Sequence, residues 1–482
     1  MKTVRNYIYS ASYQLLTILL PIITVPIISR ALGSTGVGIY AYTNSIVQEF
    51  TLIGTLGISN YAVRQIAYVR ADKEKLSNEF SNIFFLQSLF STLSLLFFAL
   101  VVLFSDRKYT IVFAIQSLFV ISAGIDVSWL FIGLEDFKKT VARNATVKVL
   151  GLGLVIIFVR SEQDLFLYAA ILSLAQLIGQ LTMFTYLHSY ISWRRPSFKH
   201  MKMILLPIVL MFVPQVANQI YTVVNKTILG LLKSKNQVGY FDMSDKISRI
   251  ALQVLIAVAA VMYPKIANLF AQKRHDLIEK YLNLSVQIIH IVGLPMMVGV
   301  IAISKWFVPW FLGNEFLPAV PVLQIMSVLI WLVPFGTVLE NQYLLPTKHV
   351  KLVTVAVVAG ALVSLILNML LIPILSAIGA AITSIIAQSV FLIISLLFVK
   401  RYLSIKTMFK NLAIYLFNCI VMFIVVTFIG IKLTKATPIT TLIQGVTGVA
   451  VYGALTLLDV SWVRPYLKIV TNKISQKITA RR

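Results

Sequence analysis

Apolar stretches of about 20 residues recur from Ile8 to Leu458, separated by short polar loops. Coiled as a helix, a stretch of that length spans the roughly 30 Å hydrocarbon core of a bilayer. Within lipid each backbone N–H and C=O must be satisfied by the chain itself, so such stretches fold as helices. Fourteen can be drawn, at about 8–29, 37–59, 79–104, 109–133, 144–159, 165–187, 203–224, 238–263, 281–303, 318–339, 352–372, 377–399, 411–431 and 439–458. The expected fold is therefore all-α and integral to a membrane. Hydrophobic residues make up 59% of the chain and its mean hydropathy is +0.88. The remaining segments are too short to bury a core of their own. A lone cysteine, Cys419, excludes an intrachain disulfide and a cysteine-based metal site. The five histidines (His188, His200, His275, His290, His349) lack ligand spacing, so no cofactor is expected. Met1-Lys2-Thr3-Val4-Arg5 leads straight into a full-length apolar run, which fits a retained first span rather than a cleaved signal.

A net charge of +25 raises the question of nucleic acid. The positions of the charges answer it. With the N-terminus placed in the cytoplasm, most of the 42 Lys and Arg fall in inside loops and few in outside loops. That asymmetry sets orientation by the positive-inside rule. With an even number of spans, both termini are expected in the cytoplasm. The tail from 459 to 482 carries Arg464, Lys468, Lys473, Lys477, Arg481 and Arg482, a composition suited to anionic membrane lipids. No nucleic-acid partner is expected.

A faint internal repeat organises the chain. Val37-Gly38-Ile39-Tyr40 and Ile46 recur as Val238-Gly239-Tyr240-Phe241 and Ile247, and Ile66-Ala67 and Ala71 as Ile266-Ala267 and Ala271. The near-constant offset of about 200 residues holds six spans. An even number preserves orientation, so the halves are parallel repeats about an axis along the membrane normal. The expected division is an N-lobe at 1–200, a C-lobe at 201–405 and two extra spans at 406–458. Two such bundles can open alternately to each side. Pro21 and Pro26 interrupt the first span, and Pro207 and Pro214 the corresponding seventh. Each bends its helix, either to let it move or as a fixed packing kink.

Charges deep in a span cost about 2.5–3.5 kcal/mol each on insertion scales, so they face a cavity or a partner. The eighth span is richest. Asp242, Lys246 and Arg249 lie at i, i+4 and i+7, on one helix face, with Asp245 beside them. At 1.5 Å per residue Lys246 is about 12 Å deep and Arg249 about 16 Å. They either meet a ligand or, as an Asp242–Lys246 pair, hold the bundle together. Glu49 in the second span is about 18 Å from the outer end. A carboxyl at that depth can exchange a proton, making Glu49 a candidate coupling site. Asp126, Asp242 and Asp245 are further candidates for coupling to a proton or sodium ion. Lys148 is about 7 Å from the inner end of its span, where it can snorkel. Arg30 and Arg64 cap span ends. A cationic membrane cleft wants an anion, and Arg and Lys bind phosphate. A lipid phosphate, a lipid pyrophosphate or an anionic solute fits.

Several stretches carry a family resemblance. Ile58-Ser59-Asn60-Tyr61-Ala62-Val63-Arg64-Gln65-Ile66-Ala67, Asp126-Val127-Ser128-Trp129-Leu130-Phe131-Ile132-Gly133-Leu134-Glu135-Asp136-Phe137, Asn225-Lys226-Thr227-Ile228-Leu229-Gly230 with Val238-Gly239-Tyr240, and Asn341-Gln342-Tyr343-Leu344-Leu345-Pro346 resemble the Wzx-type polysaccharide flippases. These belong to the multidrug, oligosaccharidyl-lipid and polysaccharide exporter superfamily. Met243-Ser244-Asp245-Lys246 is similar to a Tyr-Ala-Asp-Arg stretch of the related MurJ lipid II flippase, with Lys for Arg. Lysine binds phosphate as a point charge, without arginine's bidentate fork.

The resemblance implies a MurJ/MATE-like fold of two six-helix lobes and two added helices. It implies a flippase, not an enzyme, in the bacterial cytoplasmic membrane. Its substrate would be an undecaprenyl-pyrophosphate-linked oligosaccharide unit for capsule, exopolysaccharide or O-antigen. Lys246, Arg249, Lys148, Arg30 and Arg64 would bind pyrophosphate and sugar, and a polysaccharide polymerase and glycosyltransferases would be partners. Two rivals stay open. A multidrug or cation antiporter of the same superfamily would have a more acidic, aromatic cavity. A membrane polymerase or glycosyltransferase would need catalytic residues on a sizeable loop, whereas Ser105–Lys108 and its like are short.

Overall fold

The computed structural model describes residues 2–459 apart from Lys273, with no strand among them. The basic tail lies outside the described residues. Among the described residues, twelve helices are long and apolar enough to cross a membrane. They are α1 (Gln14–Val69), α2 (Lys73–Phe104), α3 (Arg107–Gly133), α4 (Phe137–Phe158), α5 (Glu162–Ser189), α6 (Phe198–Leu232), α7 (Lys235–Ala271), α8 (Asp276–Phe311), α9 (Ala319–Leu344), α10 (Val350–Val399), α11 (Ile405–Leu433) and α12 (Pro438–Leu458). Fourteen spans were expected from hydropathy. Two of the twelve helices, α1 and α10, each cover two of those expected spans. Both are broken inside. Gly33 has φ 61° in α1, a left-handed value that glycine adopts without penalty. Ser376 has φ 54° in α10, which costs a side-chain-bearing residue about 1–3 kcal/mol.

The helices group into two compact units, one of residues 1–246 with 354–387 and the other of 247–353 with 388–482. The first boundary falls inside α7.

In the first unit, lipid is as apolar as leucine, so helices associate by close packing and polar contacts rather than by escaping water. The Phe80 ring centre lies 5.3 Å from that of Trp129 and, edge-on, 5.4 Å from that of Trp193, beside the fully buried Phe131, Ile58 and Ile66. Helix α3 unwinds at Ile125–Val127. Gln87 of α2 repairs the gap. Its Nε2 donates to the carbonyls of Ala123 (2.7 Å) and Asp126 (2.9 Å), and its Oε1 accepts from Trp129 Nε1 (3.0 Å). The freed carbonyls thus find a protein donor, as a broken membrane helix requires. In the second unit Gln287 does the same work. Its Nε2 donates to Met408 (2.9 Å) and Lys410 (3.1 Å) carbonyls, and its Oε1 accepts from Tyr415 OH (3.1 Å). The two glutamines sit about 200 residues apart, the offset of the sequence repeat.

That repeat reappears as a reciprocal contact inside the first unit. Gly38 of α1 and Gly239 of α7 occupy corresponding positions. A Cβ on Gly38 would overlap the Lys235 carbonyl oxygen, and a Cβ on Gly239 the Ser34 carbonyl oxygen. Asn236 Nδ2 donates to Ser34 Oγ and Thr35 Oγ1 donates to Asn236 Oδ1, each at 3.1 Å.

Loops are tied by short-range caps. Asp72 starts α2 by accepting from the backbone N–H groups of Glu74 and Lys75. The Lys75 and Glu74 N–H bonds hold its carboxyl below the usual carboxylate range.

The charge asymmetry yields a topology test. Single cysteines at Asp106 and Ser197, in a Cys419→Ala background, are to be probed with an impermeant thiol reagent. Asp106 and Ser197 are exposed and Cys419 is buried. Labelling of Asp106→Cys but not Ser197→Cys in intact cells is expected. The reverse pattern would invert the orientation.

Candidate functional site

The site is built on the α6–α7 hairpin. Pro207 and Pro214 lie inside α6, and a π-helical turn at Ile220–Val224 follows. Such a turn shifts the register of all that comes after it. The helix then resumes at Asn225–Leu232, and Lys233 and Ser234 turn the chain into α7. Lys226 and Asp242, 16 residues apart, are symmetric about Ser234 and therefore face each other across the hairpin.

Four charges meet there. Lys226 Nζ lies 2.6 Å from Asp242 Oδ1 and 3.3 Å from Asp245 Oδ2, and Lys246 Nζ lies 2.7 Å from Asp242 Oδ2. The Asp242 and Asp245 side chains are 5% exposed, Lys226 16% and Lys246 34%. The quartet sits roughly 12–18 Å below the hairpin turn at 1.5 Å per residue. Two cations balance two anions, which is how a group of charges survives where a single one could not. Lys246, the least buried, can present its ammonium to a ligand.

Glu49 of α1 joins from the side. Thr227, next to Lys226, donates through Oγ1 to Glu49 Oε1 at 2.9 Å, and Ser45 Oγ lies 2.8 Å from the same hydroxyl. On the far side of the same turn is a buried neutral cluster. Asn225 Oδ1 accepts from Asn368 Nδ2 (2.6 Å), and Asn225 Nδ2 donates to Ser384 Oγ (2.8 Å). It locks this stretch of α6 to α10.

The other candidates lie elsewhere. Arg249, exposed and one turn beyond Lys246, belongs to the second unit. Arg30 is exposed just before the Gly33 break, Arg64 is exposed near the end of α1, and Lys148 is exposed on α4. Asp126 sits in the gap of α3, where its Oδ1 accepts from Ser128 N at 2.8 Å.

Lys226 was missed from the sequence as a site residue. Hydropathy ends the seventh span at 224 and puts Lys226 in an outside loop, whereas the helix runs on to Leu232. The mirror spacing about Ser234 is the signal that could have found it.

Comparison with known proteins agrees with this architecture. The chain is 25% identical over 404 residues to a putative O-antigen transporter of Escherichia coli (strain K12), covering 82% of this chain and 96% of that one. Its fold matches the lipid II flippase MurJ in an inward closed conformation, with TM-score 0.75, 18% identity, and 96% of this chain and 100% of the other aligned. A multidrug resistance MATE family transporter in an inward-facing conformation aligns with TM-score 0.55 and 12% identity, over 80% of this chain and 97% of that one. Residues 3–270, more than half of the chain, match the model of a family described as polysaccharide biosynthesis protein. The chain, a multi-pass membrane protein, belongs to that polysaccharide biosynthesis protein family.

Proposed function

We propose that this chain is a flippase for a lipid-linked oligosaccharide. It would move an undecaprenyl-pyrophosphate-linked repeat unit across the cytoplasmic membrane by alternating access, for capsule, exopolysaccharide or O-antigen synthesis. Family membership, an O-antigen transporter relative and a MurJ-like fold support the reading. The observation that carries it is the pair of lysines, Lys226 and Lys246, set inside the membrane against Asp242 and Asp245. The carboxylates hold the ammoniums in place. A pyrophosphate would displace them and take charge-assisted contacts of its own. Lys246, the most exposed of the four, offers an anion a cationic contact at the centre. In this proposal α1 and α10 each cross twice, the lobes are 1–200 and 201–405 with helices added at 406–458, and both termini are cytoplasmic. Arg249, Lys148, Arg30 and Arg64 would serve the sugar and pyrophosphate along the path.

The test is export of the lipid-linked unit, with protein level measured in parallel. Lys246→Ala and Arg249→Ala are each expected to lower export at least tenfold while the protein still inserts. Lys246→Arg should retain more activity than Lys246→Gln. Full export by the Lys246→Ala, Arg249→Ala double variant would remove α7 from the substrate path.

Coupling is proposed to run through Glu49. Glu49→Gln keeps the shape and the Thr227 hydrogen bond but cannot titrate. The expected result is loss of the pH dependence of export and a rate reduced at least tenfold. Normal export at every pH would exclude Glu49 as the proton site and leave sodium coupling or uncoupled transport.

A further inference from the structure

A cationic feature lies apart from the balanced quartet. Between α1, the α2–α3 turn and the α6–α7 turn is a cavity of about 970 Å³. That is the size of a small-molecule site rather than a packing defect. Its floor is aromatic. Tyr42, Tyr109 and Phe113 are each buried, with Tyr42 edge-on to Tyr109 at 5.9 Å. Its rim is basic. Lys108, Lys233 and Lys235 line it, against the single carboxylate of Asp106, 3.8 Å from Lys108. Lys235 is held in place. Its ammonium donates to the Gly230 carbonyl and stands 3.7 Å over the Tyr42 ring and 5.0 Å over Tyr109.

Basic residues at a membrane boundary are ordinary anchors. Here they surround a cavity that also opens onto apolar surface facing lipid. Leu100 (50% exposed), Phe104 (87%) and Leu231 (66%) form its lipid-side edge. A soluble anion has no use for that strip, whereas an amphiphile uses both parts.

We infer that this cavity binds the phosphate head of an anionic bilayer lipid, with the lysines on the phosphate and the chain along Leu100, Phe104 and Leu231. In the orientation set by the charge asymmetry it serves the outer leaflet. Binding of such a lipid needs no turnover, so the inference stands or falls separately from flipping.

The experiment uses the full-length protein in phosphatidylcholine nanodiscs with and without phosphatidylglycerol, and reads bound lipid by native mass spectrometry. Phosphatidylglycerol should be retained over phosphatidylcholine. A lysine near the surface changes affinity about fivefold, so Lys233→Gln with Lys235→Gln should weaken retention more than tenfold. Unchanged retention in that double variant would overturn the site. Binding of inorganic phosphate or pyrophosphate in detergent, without preference for phosphatidylglycerol, would overturn the lipid as its source. Should the variant fail to fold, the unmodified protein decides the matter. A photoreactive phosphatidylglycerol should label the segments 100–105 and 231–235, and labelling elsewhere only would refute the proposal.

Discussion

Lys226→Ala is expected to cost roughly 3–5 kcal/mol of stability, the usual loss when one partner of a buried ion pair is removed. The substitution takes away the ammonium that Asp242 and Asp245 share, and both carboxylates are almost fully buried. Lys246 cannot replace it, because it contacts Asp242 from the other side. The check is thermal unfolding of the purified variant, alongside Asp242→Ala and the double variant. Removal of both members takes away one cation and one anion and leaves Asp245 and Lys246 in balance, so the double variant should recover part of the loss. Strictly additive effects would mean that the two side chains are not energetically coupled. Lys246→Ala should destabilise less, since its side chain is 34% exposed and better solvated. The contrast matters for function, because a loss of export in the Lys246 variants is then not explained by unfolding.

Gly239→Val is expected to prevent assembly of the first unit. Its Cβ would run into a backbone carbonyl, that of Ser34, which cannot swing aside like the end of a side chain. Gly38→Val meets the Lys235 carbonyl in the same way. A clash of this kind belongs among the rare substitutions that cost about 4 kcal/mol or more. Protein level in membranes and elution of the detergent-solubilised protein are the measurements. Alanine at each position should already be harmful, and to a similar degree, since the contacts are reciprocal. Normal levels for both alanine variants would show that the helices can separate there at little cost.

Most of the fold was legible in the sequence because lipid allows so few backbone solutions. Hydropathy located nearly every helix. It divided α1 and α10 in two where the helices have single-residue breaks, since an apolar run says nothing of one φ angle. Gly38 and Gly239, which the sequence offset matches, pack against each other. Asp242 and Lys246 could be paired from i, i+4 spacing alone. The second lysine could not, because its place depends on where the hairpin turns and on a π-helical turn upstream. Glu49 was legible as an acid deep in a span, but its link to the site through Thr227 is a tertiary contact with no periodicity to betray it. Asp126 was legible as a carboxylate toward the end of a span, but its bond from the backbone of Ser128, at a gap in α3, has no signature in the sequence.

The balanced quartet has an electrical consequence. A membrane potential acts on net charge, at about 2.3 kcal/mol per elementary charge per 100 mV. Lys226 and Lys246 with Asp242 and Asp245 sum to zero, and the four are bound to one another. Carried through the field together, they do no work against it. Return of the empty carrier is then electrically silent as far as these side chains are concerned. Any voltage dependence of the cycle then comes from charges outside the quartet: the cargo, the ion that drives it, or side chains such as Glu49 and Arg249.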